Sequence, residues 1–460
     1  MLSLFAQFVL LAWTTLGVGL LVRRGLGSGP LVAGAASLAA LAGACTLAAA
    51  LPALFLLGLP RAAVLAAAYL AAAGGWFAGG RHALRRPTRA DVATALLLLV
   101  PLAGPLCAAL TAPLVADDAV LAWWPKVVEV SLGQWPELHT ATLLHNNPGY
   151  PRGMAWLTNF ACPWAAPTPA TMQMVAWSWT WGAALAMAAC ARELGHARAG
   201  ALLAGSLVLL PDLARHSGLG MADGAIGAAI LLAAIGLASR HRRGDGEALA
   251  IAAAIGAPSL KEEGKLVLLV VGAFLLADAV RQRAGRRACV QLGTMALVLV
   301  PFWWAKASGG QGATRLDVLP ALLHAPDMLV ARVAAVAEHL LRAATNGPSW
   351  SGLVGGVALL GLAVRGWPRP VTPWPALVFL PVACLVYAAT GAPVGWHVAT
   401  TFDRLMFEML PTLLLAAGLR VVVQPPTGAT IDHKAGVTDS TPLGASGSNT
   451  THCVNTDRPT

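Results

Sequence analysis

Long apolar runs, each closed by a short charged or Pro/Gly-rich break, dominate the chain from residue 2 to residue 423. A helix needs about 20 mainly apolar residues to cross the hydrocarbon core of a bilayer, and about thirteen segments approach that description. They lie at 2–22, 31–58, 62–80, 92–115, 171–190, 199–211, 222–239, 248–258, 265–280, 289–305, 351–365, 372–390 and 404–423. The two-residue alternation of a barrel strand is absent, so the pattern predicts an all-α, polytopic membrane protein. The segment at 248–258 is short and runs into "PSLKEEG", and it is expected to break or to dip only partway.

Two polar interruptions are long. The loop at 116–170 is rich in Trp, Pro, Asn and His, and its first part, 119–133, is patterned as an amphipathic helix. The loop at 306–350 contains "LPALLHAPDMLVARVAAVAEHLLRAA", whose helical spacing and polar face predict a second helix along the membrane surface. Beyond 424 the composition turns to Thr, Ser, Gly, Pro and Asp, and the tail 424–460 is expected to be disordered.

Composition agrees with the pattern. With 57% hydrophobic residues, 11% charged and a mean hydropathy of +0.67, the chain is too apolar for a soluble globular protein. A net charge of +10 would suggest nucleic acid, but six short loops, at 23–24, 81–89, 192–198, 240–243, 281–287 and 365–369, hold more than half of the 31 Lys and Arg. These loops alternate with cation-poor ones, so the basic balance reports topology and places them in the cytoplasm. The N-terminus is then outside and the C-terminus inside. The seven cysteines are scattered without a CxxC or His-interleaved spacing, which supports neither a disulfide framework nor a zinc site. The N-terminal segment lacks a basic leader region and a small-residue cleavage site, and it reads as a retained first span.

That topology puts the unusual polar residues on one side. Ionisable groups beside spans are costly, and their clustering marks a candidate site. Asp117 and Asp118 in "VADDAVLAWWPKVVEV" follow an apolar span directly. A helix cap needs one carboxylate, whereas two adjacent acids at a desolvated lip repel each other and call for a cation, a metal or a proton. "LLHNNPGYPRGMAWLTNF" sets His145, Asn146, Tyr150 and Arg152 among turn formers, either as an ordinary ordered loop or as a platform for phosphate and sugar hydroxyls. Asp223 opens a span as a helix cap or a site residue. Lys261, Glu262 and Glu263 form either the exposed tip of a helix hairpin or a headgroup-level charge cluster, and Arg404 either makes an i,i+4 pair with Glu408 or holds a phosphate. Most of the tryptophans in the first outer loop, Trp123, Trp124, Trp135, Trp156 and Trp164, read as interfacial anchors.

In order along the chain, "DD" at 117–118, the helix 119–133, "GYPRG" at 149–153, "ADG" at 222–224, "KEEG" at 261–264 and "DRLMFEMLP" at 403–411 resemble the GT-C superfamily of membrane glycosyltransferases. That superfamily includes the protein O-mannosyltransferases and the lipid A aminoarabinose transferases. The resemblance covers about 92–420 and divides the chain into an added helical region (1–91), a catalytic core (92–423) and the tail. It implies inverting transfer of a sugar from a polyprenyl-phosphate donor to the hydroxyl of a glycan, lipid or protein acceptor. Asp117 would be the general base, helped by Asp118, while Lys261, Arg404 and Arg152 would stabilise the departing phosphate. His145, Asn146, Tyr150, Asp223, Glu262 and Glu263 would support acceptor or sugar. Asp118 and Asp223 would be the ligands of any divalent cation, Mg or Mn, which only some members need. The implied setting is the plasma (inner) membrane, among membrane lipids and without nucleic acid, with the site extracytoplasmic and the tail cytoplasmic. A lipid-linked sugar flippase or transporter, or a non-catalytic subunit of envelope-glycan assembly, remains open beside it.

Overall fold

Every described element is helical, as the apolar runs require, and no strand occurs among the described residues. The computed structural model describes residues 2–26, 36–83, 87–111, 114, 119–133, 151–240, 245–308, 324–346, 354–359, 362, 371–389 and 393–423. Asp117, Asp118, His145, Asn146, Tyr150, the pattern at 134–150 and the tail lie outside the described residues.

The first four helices are α1 (Leu2–Leu26), α2 (Ala36–Leu56), α3 (Arg61–Ala83) and α4 (Arg89–Thr111). A π-helical turn, Ala119–Trp123, leads into α5 (Trp124–Ser131), followed by α6 (Gly153–Ala161), α7 (Pro169–Glu193), α8 (Ala197–Val208) and α9 (Pro211–Ser217). Then come α10 (Asp223–Ser239), α11 (Gly246–Leu260), a 3-10 turn (Glu262–Gly264), α12 (Lys265–Arg281) and α13 (Gly285–Ser308). The last three labelled helices are α14 (Pro326–Asn346), α15 (Trp374–Ala389) and α16 (Val394–Val423). The two amphipathic helices expected in the outer loops thus form, as α5 and α14.

Six segments are long and apolar enough to cross a membrane: Ser3–Leu26, Ala36–Leu56, Arg61–Ala78, Arg89–Ala108, Pro169–Glu193 and Arg404–Val422. The pair α8 and α9 is bent by 72° and makes a seventh if taken as one broken span. Other apolar segments form shorter helices. At about 1.5 Å per residue, the 15 residues of α11 reach roughly 22 Å, less than a hydrocarbon core of about 30 Å. All of α11 and nearly all of α10 are buried, so these two helices form the interior of the bundle.

Small residues allow that interior to close. A side chain on Gly43 of α2 would overlap the Thr15 carbonyl of α1, and one on Gly75 of α3 would overlap the Gly17 carbonyl. Gly256 of α11 similarly meets Cys45 of α2, and Gly236 of α10 meets the backbone of Ala250. Lipid gives helices little hydrophobic reason to associate, so close van der Waals contact of this kind carries the packing. Because α2 packs against α6, α7, α11 and α13, the N-terminal helices are integral to the unit Met1–Val423.

The tryptophan expectation needs correction. Trp123 and Trp156 are buried rather than interfacial, because α5 packs onto α6 and turns both rings inward. Lys126 sits 5.4 Å from the Trp123 ring, and Trp156 meets Phe55 at 5.2 Å. Trp164 is 57% exposed.

Charges collect at the two ends of α10 and α11. At the end bearing the basic loops, Arg23 of α1 pairs with Asp245 before α11, both fully buried. Arg240 Nη2 donates to Asp278 Oδ1 at 3.2 Å, and Glu247 Oε2 accepts from Arg287 Nε at 2.9 Å and from Gln291 Nε2 at 2.6 Å. Three of the loop cations thus tie helices together. The other charged layer lies at the start of α10 and the end of α11. The intervening 17 residues of α10 are apolar apart from the terminal Ser239 and Asp223, a separation of about 25 Å.

Candidate functional site

The second charged layer begins at the first residue of α10. Ala222 occupies the cap position and no side chain caps the helix, so Asp223 is not the N-cap that sequence offered as one reading. Its carboxylate, 2% exposed, instead accepts from Lys261 Nζ at 2.8 Å and from Arg404 Nε and Nη2 at 3.0 and 3.4 Å. Three segments far apart in sequence meet there.

Lys261 is aimed inward by a corner. Pro258 lies in the last turn of α11, and Lys261 itself is extended, with φ −155° and ψ 152°. The chain can then fold back tightly only because Gly264 has no side chain; a Cβ there would overlap the Ala257 carbonyl. As a result Lys261 is 5% exposed, which overturns its reading as the tip of an exposed hairpin. Its ammonium also donates to Glu408 and lies 3.9 Å from Glu263 Oε1. Burial by itself would lower the Lys261 pKa, but Asp223, Glu263 and Glu408 more than offset it and hold the pKa above the ordinary lysine value.

Arg404 and Glu408 lie one turn apart on α16, and each reaches to another element, Arg404 to Asp223 and Glu408 to Lys261. Gly227 makes this approach feasible, since a Cβ on α10 there would come 2.8 Å from the Phe407 carbonyl. Tyr387 of α15 is buried and shares a side-chain hydrogen bond with Thr401. Beside Asp223 lies a small recess lined by Thr180, His216, Ser217, Gly224 and Phe407 among others. The His216 and Phe407 rings are 4.5 Å apart, and the buried Thr180 hydroxyl has no hydrogen-bond partner among the described residues.

Of the residues expected at the site, Asp223, Lys261 and Arg404 come together with Glu263 at the edge. Glu262 pairs with Lys265 at the start of α12. Arg152 is buried, and its Nη2 donates to Glu129 Oε2 of α5 at 3.1 Å. Burial lowers its pKa and Glu129 opposes the shift. The next residue, Gly153, packs against the Ser259 carbonyl two residues before Lys261, so this loop borders the corner. Glu408 and His216 were not singled out as site residues. The signal for Glu408 was a glutamate in an apolar span, and its spacing from Arg404 hid it. Among the described residues no group of three His, Cys, Asp or Glu side chains is placed to hold a metal ion, and Asp118 lies outside them.

Known families, curated proteins and solved structures were compared with the chain, and none matches.

Proposed function

We propose that the chain is a GT-C-type glycosyltransferase of the plasma (inner) membrane, with about thirteen spans counting the short and broken ones. It would transfer a sugar, with inversion, from a polyprenyl-phosphate donor to an acceptor hydroxyl on the extracytoplasmic face. One observation carries this reading: Asp223, Lys261 and Arg404, which lie in segments up to 181 residues apart and match the family's motifs in order, form one cluster around a buried carboxylate. The cluster sits at the end of α10 opposite the basic loops, which the positive-inside rule assigns to the outer face.

In this reading a carboxylate, Asp117 by its place in the motif, takes the acceptor proton as the new glycosidic bond forms. The sugar–phosphate bond breaks as the acceptor oxygen attacks from the opposite face. Lys261, buried, and Arg404, half-buried, meet the charge that grows on the departing phosphate, in a setting screened from water where such contacts count most. Asp223 orients both cations, and the recess beside it has polar edges for a hydroxyl group. Asp117→Asn and Asp118→Asn, each assayed for transfer from a polyprenyl-linked donor, test the assignment. Loss in Asp117→Asn with residual transfer in Asp118→Asn is expected; full activity in both removes the catalytic role of the acid pair.

One feature favours a second reading, a lipid-linked sugar transporter. Helices are broken beside the cluster, at the α8–α9 bend and at the corner between α11 and α12, and discontinuous helices line the binding sites of many transporters. Movement of an intact donor lipid across sealed vesicles, without turnover, would favour it.

A further inference from the structure

The two cations of the cluster are already answered by carboxylates, and this determines what an incoming phosphate must displace. Lys261 Nζ donates to both Asp223 and Glu408, and Arg404 donates to Asp223 through two nitrogens. Among the described side chains, Asp223, Glu263 and Glu408 bring three carboxylates to two cations. A phosphodiester would add another negative charge to a buried group, which is costly unless an anion leaves or is neutralised.

The two buried acids are not equally placed to yield. Asp223 is the first residue of α10, where the positive end of the helix dipole favours its charge, and it is gripped by Lys261 and Arg404 together. Glu408 lies in the body of α16, Val394–Val423, away from both helix ends. The groups that face it are Lys261, Asp223, Glu263 and, from α15, Tyr387; His216 of α9 lies on the Asp223 side. Glu263 is at the partly exposed edge, 3.9 Å from Lys261.

We infer that Glu408 is an exchangeable occupant of the phosphate position on Lys261: when the anionic headgroup binds, Glu408 takes one proton from solvent and releases the ammonium to the phosphate. The exchange forms one O–H bond on the Glu408 carboxylate and breaks one bond to hydrogen in a hydronium ion or buffer acid, and no covalent bond of the donor changes. It rests on the glycosyltransferase reading in that the anion is the phosphate of the donor lipid. Glu408 is then a positioning residue that acts through Lys261 and makes donor binding depend on pH.

The test uses the full chain in lipid nanodiscs and a short-chain prenyl phosphodiester, a probe whose single charge is constant between about pH 5.5 and 8.5, unlike a monoester with a second pKa near 6. Wild-type affinity should weaken as pH rises, by up to about tenfold per unit, the mark of one proton taken up with each probe. Glu408→Gln, which carries the shape of the protonated acid, should bind at the top of the range as tightly as wild type does at the bottom, without a slope. Proton uptake on the wild type, read calorimetrically in two buffers of different ionisation enthalpy, gives the same answer should the variant misfold. Binding that is flat in pH with no proton uptake overturns the exchange and leaves the glycosyltransferase reading standing. A slope that persists in folded Glu408→Gln assigns the proton to another group, such as His216, and also overturns it. Failure of the probe to bind either protein at any pH contradicts both.

Discussion

Lys261 is the residue on which the second charged layer turns, because two buried carboxylates lean on its one ammonium. Removing one member of a buried ion cluster leaves the others uncompensated, at a cost of about 3–5 kcal/mol. Lys261→Met should therefore lower the unfolding midpoint in detergent markedly, and adding Glu408→Leu should restore part of the loss. Equal midpoints for Lys261→Met and wild type would show that the cluster is not buried as described. Because the Lys261 pKa is held above its unfolded value, its contribution should be fully present below the ordinary lysine pKa of about 10.4 and be lost only at higher pH. Alkaline unfolding curves of wild type and the double variant Lys261→Met with Glu408→Leu, which leaves no orphaned glutamate, should stay parallel from neutrality to that limit. Sequence reveals Asp223, Lys261 and Arg404 because charge among apolar residues is expensive and so conspicuous. It conceals Glu408, whose spacing from Arg404 offered a local explanation that the partner on another helix supersedes.

At the scale of the helix, close packing is set by glycines and closed by ion pairs. Gly43→Val should drive its side chain into the Thr15 carbonyl, with about 1–3 kcal/mol or more of destabilisation, whereas the same change at Gly74, which faces open space, should be mild. Comparable thermal stability of the two variants would contradict the α1–α2 crossing. Arg23 and Asp245 provide a second check: Arg23→Met alone should destabilise strongly, and the pair Arg23→Met with Asp245→Leu much less, since the cost lies in the orphaned charge. Apolar periodicity made the helices and their approximate ends legible, including α5 and α14. It could not separate a long span from a buried helix of 15 residues such as α11, because both read as continuous apolar runs. Nor could it show which way α5 faces, and so Trp123 was assigned to the interface instead of the core.

For the whole molecule, the apolar length of α10 separates two charged layers of different character. One is a set of Arg–carboxylate ties among basic loops, and the other is the Asp223–Lys261–Arg404–Glu408 cluster. The proposed orientation predicts that a cysteine at exposed Leu132 is labelled by a membrane-impermeant maleimide from outside. One at exposed Gln282 should be labelled only after permeabilisation, in a background without exposed Cys107 and Cys289 and without Cys453 of the tail. The reverse pattern would invert the topology and place the cluster in the cytoplasmic leaflet. The most direct measurement of function is the rate of sugar release from a labelled polyprenyl-phosphate donor by purified wild type and Arg404→Gln, supplied with candidate acceptors. The account predicts acceptor-dependent transfer by wild type and a fall of about 10²–10³-fold in Arg404→Gln, the scale expected on losing one group that stabilises transition-state charge. No transfer by the folded wild type with any acceptor, or an undiminished rate in Arg404→Gln, would contradict it.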